Sequence, residues 1–376
     1  MLLKNVLVIA FSALTACCSC QKKKESTGGG ATNQFNVTVS TIAGKIGDHG
    51  NAEDGIGSAA RFWNPTKMIY DNRNSTLYVA DGTAIRSIDQ NNEVKTYVPF
   101  TVLGNYDDIF DICLAPGTAG GTLYITTKYN DLWKIEPDGT SFKTTKIIDK
   151  DGGNETGNLN SGNELDGPHG VAIGKNGEIY VYNTYWNTLH RIRLTSLNPV
   201  TGSIEPFAGK PLDTEQGSSW PYKDGQGETA TFNSRTMDIA ADANGNIYVA
   251  DDDNRLLRKV STDGMVTSMF QYSLGDDKDG PVSVATSNGV TQVAANQDGS
   301  IIFFTSYGYF NQHPTLRMVR PGNDVITLAG EEHNMQDGDG QTAGFGTIGG
   351  IAATPDGKTV YVSEPGNKVI RKVTIQ

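Results

Sequence analysis

The sequence predicts an all-β protein: a six-bladed β-propeller whose last blade is closed by the N-terminal strand. Three observations carry this. One strand pattern recurs six times, each copy is flanked by further short strands and turns, and the last copy lacks a fourth strand that is found ahead of the first copy.

The chain begins with a leader. Lys4 precedes the apolar run Val6 to Ala16, too short to span a bilayer and typical of a signal-peptide core. The run ends Leu14-Thr15-Ala16-Cys17, which resembles the bacterial lipoprotein box. That resemblance implies cleavage after residue 16, lipidation of Cys17 and an anchor in the outer membrane. Residues 17–34 are polar and Gly-rich, a flexible tether. Its run Lys22-Lys23-Lys24 departs from the acidic tether linked to surface export in Bacteroides-like bacteria, so the face of the membrane stays open.

Residues 35–376 form the propeller. The recurring strand has an aromatic second residue: Leu77-Tyr-Val-Ala-Asp81, Leu123-Tyr-Ile-Thr-Thr127, Ile179-Tyr-Val-Tyr-Asn183, Ile247-Tyr-Val-Ala-Asp251, Ile302-Phe-Phe-Thr-Ser306 and Val360-Tyr-Val-Ser-Glu364. The intervals are long enough for a four-stranded sheet and its loops. Ahead of each copy stands an apolar strand and a turn, as in VAIGKNGE and IAADANGN, where Gly supplies the turn conformation. After each comes a third strand, such as AIRSI or VIRKV, and several fourth strands end in Ala-Gly. Three copies then carry Asp-Gly-x-Gly and a Phe, from Asp54 to Phe62, Asp224 to Phe232 and Asp337 to Phe345, which read as tight turns. The sixth copy stops after its third strand, and Val37 to Gly44 supplies the fourth, leaving the ring without an open edge.

The run TIAG…DGIGSAARFWNP…LYVADGTAIRSI resembles NHL-repeat proteins, over Val37 to Gln376. Blades 1, 4 and 6 fit well and blades 2, 3 and 5 are degenerate. The resemblance implies a binding platform in most cases. In a few it implies an enzyme, such as the peptidyl-hydroxyglycine amidating lyase or the related lactone-hydrolysing propellers.

Composition narrows the partners. The formal charge of −11 argues against nucleic acid and against an anionic membrane surface. Three of the four cysteines lie in the leader, leaving Cys113 as a lone buried thiol with no disulfide or metal knuckle.

Copy-to-copy comparison separates scaffold from site. Asp81, Asp251 and Glu364 each accompany an arginine in the third strand, Arg86, Arg258 and Arg371. This joint variation predicts a charge-assisted bond between neighbouring strands. Blade 5 pairs Ser306 with Arg317, and His190 occupies the Arg slot of blade 3, a scaffold position. At the entrance of each first strand the copies disagree. One ring reads Thr66, Phe110, His169, Met237, Thr291 and Gly349, and the next Lys67, Asp111, Gly170, Asp238, Gln292 and Gly350. The second gathers a lysine, two carboxylates and a glutamine beside His169, a polar patch at the channel mouth with an open side at the blade 6 glycines. Groups bound to channel water are the plainer reading of the same ring.

The loops above that mouth carry Tyr129 in blade 2, Tyr185 and Trp186 in blade 3, and Tyr307, Tyr309 and Phe310 in blade 5, interleaved with Asn, Gln and Asp. Rings that stack on a sugar face beside amides that bind its hydroxyls suit a glycan or small polar ligand. Packing of these rings under their own loops is the alternative. The leading expectation is a tethered envelope protein that binds a glycan without catalysis. Two others stand beside it: a lyase or lactonase-like hydrolase using Asp111, His169 and Asp238, and a scaffold for another envelope protein. No cofactor is expected. Calcium is the one ion that Asp111 and Asp238 would suit, and Lys67 opposes it. The zinc of the amidating lyase lacks its histidines, because only His169 sits at the channel.

Overall fold

The computed structural model describes residues 35–48, 50–103, 108–117, 121–148, 167–211, 222–233, 238–307, 313–330 and 335–376. Residues 1–34, where a signal peptide and a lipidated Cys17 are expected, lie outside them.

Six antiparallel sheets stand in a ring. The inner strands are Pro65–Asp71, Ile109–Leu114, Pro168–Ile173, Ile239–Ala241, Gln292–Ala295 and Gly350–Ala353, and each neighbours the next, with the sixth returning to the first. Blades 1 and 4 therefore face each other across the channel. The predicted closure is present: Val37–Gly44 pairs antiparallel with Val369–Ile375, from Val37 opposite Ile375 to Gly44 opposite Val369.

The recurring second strand is apolar on both sides because both sides are interior. In blade 1, Leu77 and Val79 pack with Ala352 and Ile370 of blade 6, while Tyr78 and Ala80 pack with Ile112 and Ile125 of blade 2. In blade 4, Ile247 and Val249 meet Tyr182 of blade 3, and Tyr248 and Ala250 meet Phe304 of blade 5. The core is thus six wedges, one between each pair of adjacent blades, which explains why alternation is absent from these strands. Turns into the second strand use positive φ, at Gly177 (84°), Gly245 (94°) and Gly357 (66°), with Ser75 at 54° in blade 1.

The acid–arginine pairs form as expected: Arg86 to Asp81 at 3.2 Å, Arg258 to Asp251 at 2.7 Å and Arg371 to Glu364 at 2.8 Å. The Asp-Gly segments are more than turns. Asp54, Asp224 and Asp337 give each of these arginines a second carboxylate, at 2.7, 2.8 and 2.8 Å. The following Phe62, Phe232 and Phe345 lie beneath the guanidinium carbons at 5.5, 5.2 and 5.5 Å. The glycines after them start two-residue edge strands, such as Gly55–Ile56, that cover the outermost strand. Blade 5 has the same device in Asp279-Gly280, with Arg317 2.8 Å from Asp279. There Ser306 does not replace the missing acid by itself. Asp277 does, accepting from the Ser306 hydroxyl at 2.6 Å and lying 3.4 Å from Arg317.

His190 is buried in the Arg slot, its Nδ1 3.4 Å from the Thr188 hydroxyl, and burial pushes it down to about 4. It is a neutral scaffold residue, as its position predicts.

Candidate functional site

The inner-strand entrances bring Lys67, Asp111, Asp238 and Gln292 together at one end of the channel, all of them buried. Lys67 spans the mouth. Its Nζ lies 2.7 Å from Asp238 Oδ1 and donates to Gln292 Oε1 at 2.5 Å. The other Asp238 oxygen accepts the Val293 amide at 2.8 Å, tying blade 4 to blade 5. Asp111 does the same one blade pair earlier: its Oδ2 accepts the Val171 amide at 2.7 Å, and its Oδ1 accepts the Ile112 amide at 2.8 Å. Below lies a cavity of about 190 Å³ between the inner strands, with Met68, Cys113 and Val171 among its lining.

This arrangement is largely self-satisfied. Burial pushes Asp111 up to about 8, the nearby Asp238 charge adding to the effect and Lys67 opposing it. Burial also pushes the Cys113 thiol up. The expected open side at blade 6 is not there. A Cβ on Gly350 would lie 2.6 Å from the Thr66 carbonyl oxygen and 2.9 Å from Lys67 Cα, so the glycine permits a close approach of blade 6 to blade 1. Thr66 O also accepts the Ser363 hydroxyl at 2.5 Å, which seals that junction.

His169 lies beside this network without joining it. Its ring stacks on Phe110, centroids 4.1 Å apart and planes 15° apart. Its backbone oxygen accepts the Thr126 hydroxyl. Its Nδ1 is buried with no hydrogen-bond partner, and burial next to Lys67 pushes the ring down to about 4. At neutral pH the imidazole is uncharged, and among the described residues no hydrogen bond joins it to Asp111 or Asp238. The proposed catalytic trio is therefore near in place but not connected as an acid–base pair. With both carboxylates engaged by amides and a lysine, the donor set also fits calcium poorly. Among the described residues no group of three His, Cys, Asp or Glu is placed to hold a metal.

The loop aromatics behave differently. Tyr129, Tyr185 and Tyr307 are exposed, at 52%, 64% and 43%. Trp186 is half-buried and meets Tyr185 edge-on at 6.3 Å, with its indole Nε1 buried, so it props the tyrosine outward. Tyr309 and Phe310 lie outside the described residues, as does Met237 of the outer ring. One aromatic escaped the sequence reading. Trp63, 59% exposed, stands before the inner strand of blade 1, against Gly82 of the loop that follows the second strand. Lys368 of blade 6 sits 5.3 Å above its ring. A Trp outside any repeat position, next to Asn-Pro at a strand entrance, was the available signal. Strand entrances and second-to-third-strand loops share one face, so these four rings surround the same mouth.

No protein-family model matches the chain, and no curated protein matches it. Solved structures do resemble it. A Bacteroides thetaiotaomicron protein of unknown function has a TM-score of 0.65 at 17% identity, covering 91% of this chain and 77% of that one. An auxiliary nutrient binding protein from the same species gives the same values. One from Bacteroides ovatus has a TM-score of 0.64 at 17% identity, over 91% and 78%. At this identity the likeness is one of fold: the chain is a six-bladed β-propeller of the kind found in these Bacteroides proteins.

Proposed function

We propose that the chain is an NHL-type, lipid-anchored propeller of the bacterial envelope, held in the outer membrane through Cys17, and that its mouth binds a glycan without catalysing a reaction. The observation that carries this reading is the exposed set Trp63, Tyr129, Tyr185 and Tyr307 above a channel mouth whose own charges are paired. Exposed rings held apart on four blades offer flat apolar platforms to an extended ligand. In the network beneath, Asp238 is held by Lys67 and the Val293 amide, and Asp111 by the Val171 and Ile112 amides. The fold likeness to nutrient binding proteins supports a small ligand over a macromolecule.

A glycan-array screen of the full chain in detergent, with and without calcium, tests this. Binding lost in Tyr185→Ala/Trp186→Ala is expected. Silence across the array would move the weight to a protein partner, and binding that requires calcium would return Asp111 and Asp238 to the site. The anchor is tested apart from the ligand, by labelling cells with a fatty-acid analogue: label on the parent chain and none on Cys17→Ala is expected.

A further inference from the structure

The rim reading leaves open which sugar is held and where. A cleft of about 190 Å³ opens on the same face between blades 4 and 5, lined by Asp252, Asp253, Arg255, Asn288, Thr291 and Tyr307. Three features distinguish it from an ordinary surface groove. Asn288 is 4% exposed, and its side-chain carbonyl Oδ1 is buried without a hydrogen-bond partner. Such an acceptor is unfavourable until a donor reaches it. Position 289 is a glycine at φ 146°, where a Cβ would lie 3.0 Å from Asp252 Oδ1 and 3.4 Å from the Tyr307 carbonyl oxygen. The absent side chain lets the two loops converge around the cleft. At its rim Tyr307 presents an exposed ring.

We propose that this cleft is the primary subsite of the mouth and takes one uncharged sugar residue, an inference that rests on the glycan reading above. The Asn288 carbonyl is a buried acceptor with no partner of its own, so the ligand must supply a donor there. Sugar hydroxyls do so, and Tyr307 offers the ring against which a pyranose face stacks. Two carboxylates against one guanidinium, on a chain of net charge −11, disfavour uronic acids and sulfated sugars.

The test is a panel of neutral, uronic and sulfated oligosaccharides measured against the full chain and against Tyr307→Ala, Asn288→Leu and Tyr185→Ala. The expected result is binding of neutral members only, weakened roughly tenfold or more by Tyr307→Ala and by Asn288→Leu. Because Asn288 is buried, its variant is paired with a melting curve, and Tyr307→Ala, on the surface, carries the result if the other variant unfolds. Neutral binding lost in Tyr185→Ala but kept in both cleft variants would overturn the subsite and leave the rim reading standing. Preference for uronic or sulfated members would overturn the charge argument. Silence of the whole panel would remove both readings together.

Discussion

Lys67 of blade 1 and Asp238 of blade 4 sit on opposite sides of the ring, and they meet, Nζ to Oδ1, at 2.7 Å. Their side chains are only 11% and 7% exposed. The pair is a strut across the channel, and Gln292 holds the same ammonium from a third blade.

Removing one end of a buried pair strands the other charge. Lys67→Met is expected to cost about 3–5 kcal/mol in urea unfolding. Adding Asp238→Asn should recover most of that loss, since the amide oxygen can still accept from Val293 and no charge is left unpaired. A double variant as unstable as the sum of its parts would show that the strut is incidental.

Asp111 makes stability depend on pH in the unusual direction for a carboxyl. Its folded value is pushed up to about 8, against roughly 3.9 when unfolded. Between these values the folded chain keeps a proton that the unfolded chain has released. That contribution is complete below the unfolded value and is lost as pH rises through about 8. Asp111→Asn should abolish it. The urea midpoint of the parent should therefore fall, relative to the variant, as pH is raised across that window. A constant difference between the two would rule the proton out.

The two buried imidazoles act on the acid side. His169 and His190 are both pushed down to about 4 by burial, so the unfolded chain takes up protons first as pH falls below roughly 6.5. Stability is lost from there down to the folded values. His169→Phe, which keeps a ring against Phe110, should flatten part of this loss, and adding His190→Gln should flatten more. Melting temperatures between the two limits read the effect directly.

Arg258 is fully buried and donates to Asp251, Asp224 and the carbonyls of Thr231 and Lys223, all between 2.7 and 3.0 Å. A lysine reaches fewer of these partners and loses the planar contact with Phe232. Arg258→Lys keeps the charge but leaves buried acceptors unsatisfied, and is expected to cost about 1–3 kcal/mol by denaturant titration. Asp277→Ala in blade 5 should cost less, because Asp279 still neutralises Arg317.

Repeats made the architecture legible. Six versions of one strand, a missing fourth strand and its supply from the other end specify blade number and closure without any contact being known. Covariation of Asp81 with Arg86 likewise located a bond between strands. What sequence copies cannot show is where a long side chain crosses between blades that are not neighbours. Lys67 therefore read as an obstacle to a metal instead of the partner of Asp238, and Gly350 read as a gap although it lets two backbones touch. Asp54 read as a turn former because its role as second anion for Arg86 comes from a segment outside the repeat strand. Trp63 was passed over because it matches nothing in the other copies, and for a binding residue that mismatch is the informative property.

The blade shared by the two ends of the domain has a consequence for how the chain reaches its native state. Strand Val37–Gly44 must find Val369–Ile375 across nearly the whole length of the chain. Until it does, the wedge that holds Ile42, Ala43 and Ile370 against blade 1 is exposed. The other blades are built from consecutive strands and assemble locally, whereas this seam waits for the longest loop closure in the molecule. A partly assembled ring is an open arc with one sticky edge, the species most prone to pairing with a second chain. Loss of the short C-terminal strand would leave the arc permanently unlatched, so its damage would spread to the entire ring.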